Sequence, residues 1–371
     1  MIALAVTCPA CGAALTLKAA PPPGVTRAKC PKCGGVVPLD SVDPAPPSGH
    51  ETAGLNASAN STSDATCPGP GRPAPASDEF PFLAPPERPD EIGRLGPYRV
   101  LAAIGHGGMG AVFRAEDPAL RRHVALKVML PQFATNEVAK ARFLREARAQ
   151  AAVEHDHVAA IHQVGEDRGV PFIALPLLKG QSLSDALKAN PVVPVAEAVR
   201  IAREIAAGLA AAHETGLVLR DVKPGNVWLE GKSRRVKLLD FGLARAAGGA
   251  GDDDPAEPVT QTGSVVGTPA YMSPEQARGE HVDARTDVFC LGVVLYQLLA
   301  GRVPFSAPSV TGVLIAVATE TPPAPHDLNP NVAPALGDFV MRLLAKNPAA
   351  RPPARRAPRP WSRSYSGRKR R

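Results

Sequence analysis

The apolar residues of the chain change their spacing near Gly180, and this change constrains the fold more than any other feature. From Tyr98 to Gly180 they alternate in short runs typical of strands, interrupted by a glycine-rich turn and by one helix-like stretch over residues 136–153. Beyond Gly180 they recur with helical spacing over three long stretches, residues 195–214, 284–300 and 335–345. The sequence therefore predicts an α+β fold in which a small strand-rich half precedes a larger helical half, with a cleft between them.

The composition is that of one packed domain with extended flanks. The chain has 371 residues, of which 44% are hydrophobic and 21% charged, so it can bury a core. No apolar run approaches the ~18–20 residues that a membrane span needs, and the N-terminus lacks the basic start and hydrophobic stretch of a secretory signal. We therefore expect a cytoplasmic protein without a transmembrane segment.

The net charge of +7 comes from one segment. Nine lysines and arginines, and no acidic residue, stand between Arg351 and Arg371, so the protein has no general basic face and we expect no specific nucleic-acid partner. Four prolines exclude a helix from residues 352–371, which we interpret as a basic, disordered tail. Truncation or a frame shift at the gene end is one interpretation of this tail, and a genuine segment that binds acidic partners or a membrane surface is the other.

Two pairs of cysteines, Cys8 with Cys11 and Cys30 with Cys33, form the pattern C-x₂-C-x₁₈-C-x₂-C. This spacing suits four thiolates arranged tetrahedrally around one Zn²⁺, whereas disulfides are disfavoured without an export signal. It predicts that residues 1–40 are a small module that resembles zinc ribbons, with structural Zn²⁺ and a role as a staple or docking element rather than in nucleic-acid binding. Residues 41–97 are rich in Pro, Ser and Ala and are predicted to be a disordered linker.

Gly105, Gly107 and Gly110 match the pattern G-x-G-x-x-G, which lets backbone N–H groups approach phosphate oxygens. A dinucleotide-binding fold would require a helix directly after this pattern. Strand-like residues follow instead, at residues 111–114 and 124–127. The pattern therefore favours a loop that covers a nucleotide.

Four further motifs follow in order and at regular intervals. They are V-A-L-K at residues 124–127, L-R-D-V-K-P-G-N at 219–226, D-F-G at 240–242 and S-P-E at 273–275. Together with the glycine pattern they resemble the signature of protein kinases, and most closely that of the bacterial eukaryotic-like (Hanks-type) Ser/Thr kinases. The resemblance covers residues 98–351 and implies a bilobal protein-kinase fold, with a β-rich N-lobe at 98–178 and an α-helical C-lobe at 179–351.

The resemblance implies a Ser/Thr protein kinase that transfers the γ-phosphate of ATP to hydroxyl groups of protein substrates. Asp221 would accept or orient the proton of the substrate hydroxyl, and Lys223 would neutralise the transferring phosphoryl group. Lys127 would contact the α- and β-phosphates, held in place by Glu146 on the first helix. Lys223 also associates the chain with Ser/Thr rather than Tyr kinases.

The nucleotide site follows from the same resemblance. Asn226 and Asp240 would ligate Mg²⁺ (or Mn²⁺), and the backbone N–H of Leu178 would contact adenine behind a gatekeeper, Leu175. The residues expected to line the site are Ile104, Gly105, Gly107, Gly110, Val112, Ala125, Lys127, Leu175, Leu178, Asn226 and Asp240.

The resemblance also implies a regulatory segment from Asp240 to Glu275. We expect trans-autophosphorylation within a homodimer at Thr260, Thr262 or Ser264, with Arg220 as the cation that pairs with the phosphate.

Two supports of the larger half are implied as well. Asp287 would brace the catalytic loop, and Arg351 would pair with Glu275 inside the domain.

One departure from the family pattern leaves two other functions open. Leu219 stands where the family has histidine, and it can fill the apolar volume but not make the hydrogen bond. This departure and the unusual C-terminal segment favour a pseudokinase scaffold, which binds nucleotide or partners without transfer. A zinc-ribbon adaptor is the other alternative. The family residues at positions 127, 221, 226 and 240 are intact, and they favour an active kinase.

Overall fold

A computed structural model describes residues 80–106, 110–239 and 269–353 in full, together with the backbone of four short strands between residues 4 and 38. The chain divides into two compact units, Met1–Gly69 and Pro70–Arg371. Within the described residues, no helix is both long and apolar enough to cross a membrane.

The first unit contains two antiparallel hairpins. Their strands are β1 (Leu4–Thr7) with β2 (Ala14–Leu17), and β3 (Arg27–Lys29) with β4 (Val36–Pro38). Cys8 and Cys11 fall in the sequence between β1 and β2, and Cys30 and Cys33 fall between β3 and β4. The four cysteines themselves lie outside the described residues, as does most of the predicted linker.

The second unit begins with a six-stranded antiparallel sheet in the order β5-β6-β7-β8-β10-β9. Its strands are β5 (Gly93–Leu95), β6 (Tyr98–His106), β7 (Gly110–Asp117), β8 (Arg122–Met129), β9 (Gln163–Asp167) and β10 (Val170–Pro176). Two helices, α1 (Pro131–Ala134) and α2 (Glu137–Ala151), connect β8 to β9, and the Asn136 side chain caps α2. Alternation in β7 and β8 buries Phe113 and Leu126 in the core on one face of the sheet.

Residues 80–97, predicted to be the end of the linker, belong instead to the packed domain. Phe80, Leu83 and Leu95 are at most 5% exposed and join the sheet core, and β5 pairs with β6. Sequence spacing did not reveal this part of the core because its apolar residues have no sustained period. They belong to a short irregular segment and to a three-residue strand.

The larger half is mainly helical. Its helices are α3 (Leu183–Ala189), α4 (Val195–Glu214), α5 (Pro274–Arg278), α6 (Ala284–Ala300), α7 (Val310–Thr319), α8 (Pro325–Leu328) and α9 (Pro334–Leu343). A three-stranded sheet of β11 (Gly180–Ser182), β12 (Val227–Glu230) and β13 (Arg235–Leu238) accompanies them. The helices predicted from sequence are all present, and α4 and α6 have the predicted bounds.

Helix α6 lies at the centre of this half. It is buried on nearly every side, which explains its almost continuous apolar sequence. A Cβ at Gly292 would lie only 2.7 Å from Cβ of Leu343, so glycine permits α9 to approach α6 closely.

A buried ion pair holds the end of the described domain against α5. Both terminal nitrogens of Arg351 bind the Glu275 carboxylate, at 2.7 and 2.8 Å, and the Thr286 hydroxyl donates to the same carboxylate at 2.7 Å. Although burial raises the pKa of Glu275, the bonds from Arg351 and Thr286 outweigh it and lower that pKa. The predicted pairing of Arg351 with Glu275 is confirmed.

Replacing Arg351 by alanine should lower the free energy of unfolding by about 3–5 kcal/mol, because it leaves a carboxylate buried without its cation. Urea denaturation followed by circular dichroism would measure this loss. Arg285→Ala is the matched control, since it breaks an exposed pair with Asp283 at the start of α6 and should change stability far less. Equal losses in the two variants would contradict the assigned importance of the buried pair.

Candidate active site

Residues 219–226 form a loop that is held by a buried carboxylate at the start of α6. Asp287 is fully buried and accepts hydrogen bonds from the backbone N–H groups of Leu219, at 2.9 Å, and Arg220, at 2.8 Å. The Nε2 atom of His213, near the end of α4, lies 2.7 Å from the same carboxylate. Asp287 therefore braces the loop as predicted, and it ties the loop to α4.

Arg220 adopts a left-handed backbone conformation with φ of +63°. A left-handed conformation costs a residue other than glycine about 1–3 kcal/mol, so it persists only where surrounding contacts stabilise it. Asp287 binds the N–H of Arg220, and the Gln276 side-chain amide donates to its carbonyl at 2.7 Å. Contacts on both sides of Arg220 thus fix the direction in which the chain enters Asp221.

Three polar side chains meet immediately after this turn. The Oδ2 atom of Asp221 accepts hydrogen bonds from Lys223 Nζ, at 2.7 Å, and from Asn226 Nδ2, at 2.9 Å. Asn226 Nδ2 also donates to the Asp221 carbonyl at 2.9 Å. A short 3₁₀ turn over Pro224–Asn226 brings Asn226 back to Asp221.

This cluster offers a base and a cation side by side. Within the described part of the chain, no residue donates to Oδ1 of Asp221, and the side chains of Asp221 and Lys223 are 26% and 22% exposed. The carboxylate can therefore accept a proton from a hydroxyl group that arrives from solvent. The bonds made by Asn226 Nδ2 leave the Asn226 carbonyl oxygen as the atom of that side chain able to bind a metal ion.

Strand register brings the predicted nucleotide residues onto one face of the six-stranded sheet. Gly105 lies opposite Val112, and Val112 lies opposite Lys127. In the adjacent row Ala125 lies opposite Leu175. Directly paired residues of antiparallel strands share a face, so all five lie on the face opposite the core that contains Phe113 and Leu126.

Helix α2 packs against the same face. Phe143 and Ala147 are buried against Ile173, which lies opposite Lys127 in the sheet. Glu146 is half-buried and adjoins these residues on the helix, one position before Ala147. The structure thus places α2, with Glu146, on the side of the sheet that carries Lys127.

The remaining residues predicted to line the nucleotide site differ from one another in exposure and packing. Ile104 is 52% exposed near the end of β6, and Leu178 is half-buried just after β10. A Cβ at Gly110 would lie 2.6 Å from the Val128 carbonyl oxygen, so strand packing alone requires glycine there. Gly107, Asp240, Thr260, Thr262 and Ser264 lie outside the described residues.

Leu219 occupies the apolar volume expected for it. The side chain is 2% exposed and belongs to the main core of the larger half. The side chain of residue 219 thus contributes apolar packing, and the backbone N–H of Leu219 binds Asp287.

Gln150, a buried glutamine on α2, was not predicted from the sequence. Its Nε2 atom donates to the carbonyls of Ala159 and Leu239, each at 3.1 Å, and it is only 1% exposed. Leu239 precedes Asp240 in sequence and donates its N–H to the Asn226 carbonyl at 3.0 Å. A polar residue in line with buried Phe143 and Ala147 was the signal that could have identified it.

Two other positioning residues, His213 and Gln276, were also missed. Neither belongs to one of the five sequence motifs, and their partners are 74 and 56 residues away.

Comparisons with known proteins agree with this geometry. The protein kinase domain family matches residues 98–361. The chain is 41% identical over 261 residues to the serine/threonine-protein kinase pkn3 of Myxococcus xanthus, covering 69% of this chain and 47% of that protein. It is 42% identical over 259 residues to PknD of Mycobacterium tuberculosis, covering 70% and 38%. The chain thus spans less than half the length of these relatives.

A solved structure supports the fold independently. The crystal structure of the Mycobacterium tuberculosis PknI kinase domain matches with a TM-score of 0.54 and 29% identity, covering 71% of this chain and 93% of that one. The match covers nearly the whole of that kinase domain, in agreement with the sheet-rich and helical halves described above. The fold, the braced loop and these relatives together show that the chain belongs to the protein kinase family.

Proposed function

We propose that this protein is a Ser/Thr protein kinase that transfers the γ-phosphoryl group of ATP to Ser and Thr hydroxyls of protein substrates. The observation that carries the proposal is the cluster of Asp221, Lys223 and Asn226 on a loop braced by Asp287. The relatives named above as serine/threonine-protein kinases agree with it. Because the chain spans less than half of their length, the support from these relatives comes from their kinase domains alone.

Asp221 orients the substrate hydroxyl group and accepts its proton as that oxygen attacks the γ-phosphorus of ATP and the bond from the γ-phosphoryl group to ADP breaks. Nζ of Lys223 lies 2.7 Å from Oδ2 of Asp221, and its positive charge offsets the negative charge on the phosphoryl group during transfer. Phosphoryl transfer depends on position and charge neutralisation more than on covalent chemistry, so a strained but firmly held loop suits this role.

The face of the sheet that carries Lys127 holds the nucleotide. Lys127 binds the α- and β-phosphates, and Glu146 on α2 keeps that lysine in position. Val112, Ala125 and Leu175 provide apolar surface for adenine on the same face. Asn226 and Asp240 would hold Mg²⁺ or Mn²⁺, which neutralises the β- and γ-phosphates when bound.

The first unit binds structural Zn²⁺ through Cys8, Cys11, Cys30 and Cys33. Support comes from the donor set and from the position of each C-x₂-C pair between two strands of a hairpin. Four thiolates are a common structural zinc set, and a unit of this size has little core of its own.

Autophosphorylation of the segment between Asp240 and Glu275 regulates the activity. Thr260, Thr262 and Ser264 are the acceptor residues, and Arg220, whose backbone is fixed beside Asp221, supplies the cation for the phosphate. The reaction proceeds between two copies of the chain.

Asp221→Asn should lower the rate of phosphoryl transfer from Mg-ATP by more than ~100-fold, about 2.7 kcal/mol of transition-state stabilisation, because it removes the proton acceptor and preserves the shape of the side chain. Initial rates with radiolabelled ATP and a generic protein substrate would measure the loss. Asp338→Asn, which changes an exposed carboxylate on α9, is the control and should keep full activity. Retained transfer in folded Asp221→Asn protein would refute the role of Asp221. Absence of transfer by the folded wild-type protein, with ATP binding retained, would favour a pseudokinase.

Purified protein should contain about one zinc ion per chain, measured by mass spectrometry of the metals. Cys8→Ser should lose most of this zinc, because three thiolates hold it less firmly. Cys67→Ser alters a cysteine outside the spacing and should retain it. Equal zinc contents in the two variants would exclude the assigned ligand set.

Phosphopeptide mapping of the active protein should find phosphate on Thr260, Thr262 or Ser264. Inactive Asp221→Asn protein should carry none when purified alone and should acquire it when mixed with the active chain, because transfer occurs between copies. An active protein without phosphate on this segment would contradict the mechanism. Phosphate that the inactive chain never acquires would contradict transfer between copies.

A further inference from the structure

The segment that leads into the kinase domain contacts the glycine-rich hairpin of β6 and β7. The ring of Phe80 stacks on the His106 ring, with centroids 5.7 Å apart and planes inclined by 12°. It also meets Phe113 edge-on at 4.9 Å. Phe82 meets the rings of Phe80 and Phe113 edge-on at 6.0 and 6.2 Å. Phe80 thus lies within an aromatic cluster to which both strands of the hairpin contribute a ring.

These contacts lie close to the turn assigned to the ATP phosphates. His106 is the last residue of β6 and directly follows Gly105, and it pairs with Ala111 near the start of β7. Its side chain is exposed apart from the stack, whereas Phe80 is 5% exposed. The stack therefore reaches from the buried core to the exposed end of the strand that carries the turn.

The rest of the segment is firmly attached to the sheet. Ala84 and Arg94 exchange two backbone hydrogen bonds, of 2.8 and 2.9 Å. The fully buried carboxylate of Glu91 binds Nε of Arg99 at 2.7 Å and Nε of Arg94 at 3.1 Å. Because Arg99 belongs to β6, the base of the segment and the ring of Phe80 hold the same strand at two places.

Gly105 and Gly110, the described glycines of the G-x-G-x-x-G pattern, belong to the facing ends of β6 and β7, so the direction of these strand ends sets where their backbone N–H groups lie. Apparent affinity falls in proportion to the fraction of molecules in the competent conformation. A ring stacked on His106 restrains the end of β6 in one direction, so less conformational freedom of this strand end is lost when ATP binds.

We infer that Phe80 and His106 are positioning residues for the facing ends of β6 and β7, which carry Gly105 and Gly110, and that the segment ahead of the kinase domain, residues 80–97, thereby strengthens ATP binding. The inference rests on the proposed kinase function. Both act through the strand that ends at His106. If Phe80 had a purely structural role, its substitution would lower stability, but substitution of the exposed His106 would leave ATP binding unchanged.

The test measures the KM for ATP, kcat and the affinity for a non-hydrolysable ATP analogue in the full chain. An aromatic pair contributes an amount equivalent to about 2- to 10-fold in an equilibrium constant, so His106→Ala should raise the KM for ATP and weaken analogue binding by up to that factor, with kcat nearly unchanged. His106→Phe retains a ring for the stack and should restore both values. His281→Ala, at an exposed histidine of the larger half, is the matched control and should change neither.

A double-mutant comparison then tests whether the two rings act together. If Phe80 acts through His106, then Phe80→Ala should raise the KM little further in a His106→Ala background. An unchanged KM in His106→Ala, or no recovery in His106→Phe, overturns the inference even if Phe80→Ala fails to fold. Wild-type protein that neither binds the analogue nor transfers phosphate would refute the proposed function instead.

Discussion

The buried carboxylate of Asp287 is the interaction on which the catalytic loop depends. It accepts hydrogen bonds from two backbone N–H groups of the loop, and His213 of α4 lies within hydrogen-bond distance of it. A charge removed from water is costly unless hydrogen bonds replace its hydration, and this one lies in the first turn of α6, where the helix dipole favours a negative charge. Because α6 is itself the centre of the larger half, the position of the loop is set by the most deeply packed element of the domain.

The strained turn at Arg220 follows from this arrangement. Its N–H is bound from α6 and its carbonyl from Gln276 on α5, so a left-handed conformation that is unfavourable in isolation becomes the one that satisfies both polar groups. The Glu275–Arg351 pair fixes α5 in turn, since Glu275 adjoins Gln276 and its carboxylate binds Thr286 on α6. A chain of buried polar contacts therefore connects the end of the described domain to the residue before Asp221.

Much of the fold could be predicted because it rests on local periodicity. Residues 195–214 and 284–300 show helical spacing that continues without interruption, and they form α4 and α6 with those bounds. Residues 80–97 could not be assigned, because their burial depends on a hairpin with β6 and on rings of β7 that no local pattern specifies. A local pattern also identifies the motif residues Asp221, Lys223 and Asn226, which lie within six positions of one another. It does not identify Gln150 and His213, whose partners are distant in sequence.

Leu219 shows how the site tolerates a departure from the family pattern. A histidine there would contribute a side-chain hydrogen bond, yet the contact that holds the loop in this protein is made by the backbone N–H of residue 219, which any residue other than proline supplies. The leucine side chain instead joins the apolar core of the larger half. The geometry of Asp221 therefore follows from the backbone contacts to Asp287 and Gln276, and it does not require the side chain that the family usually has at residue 219.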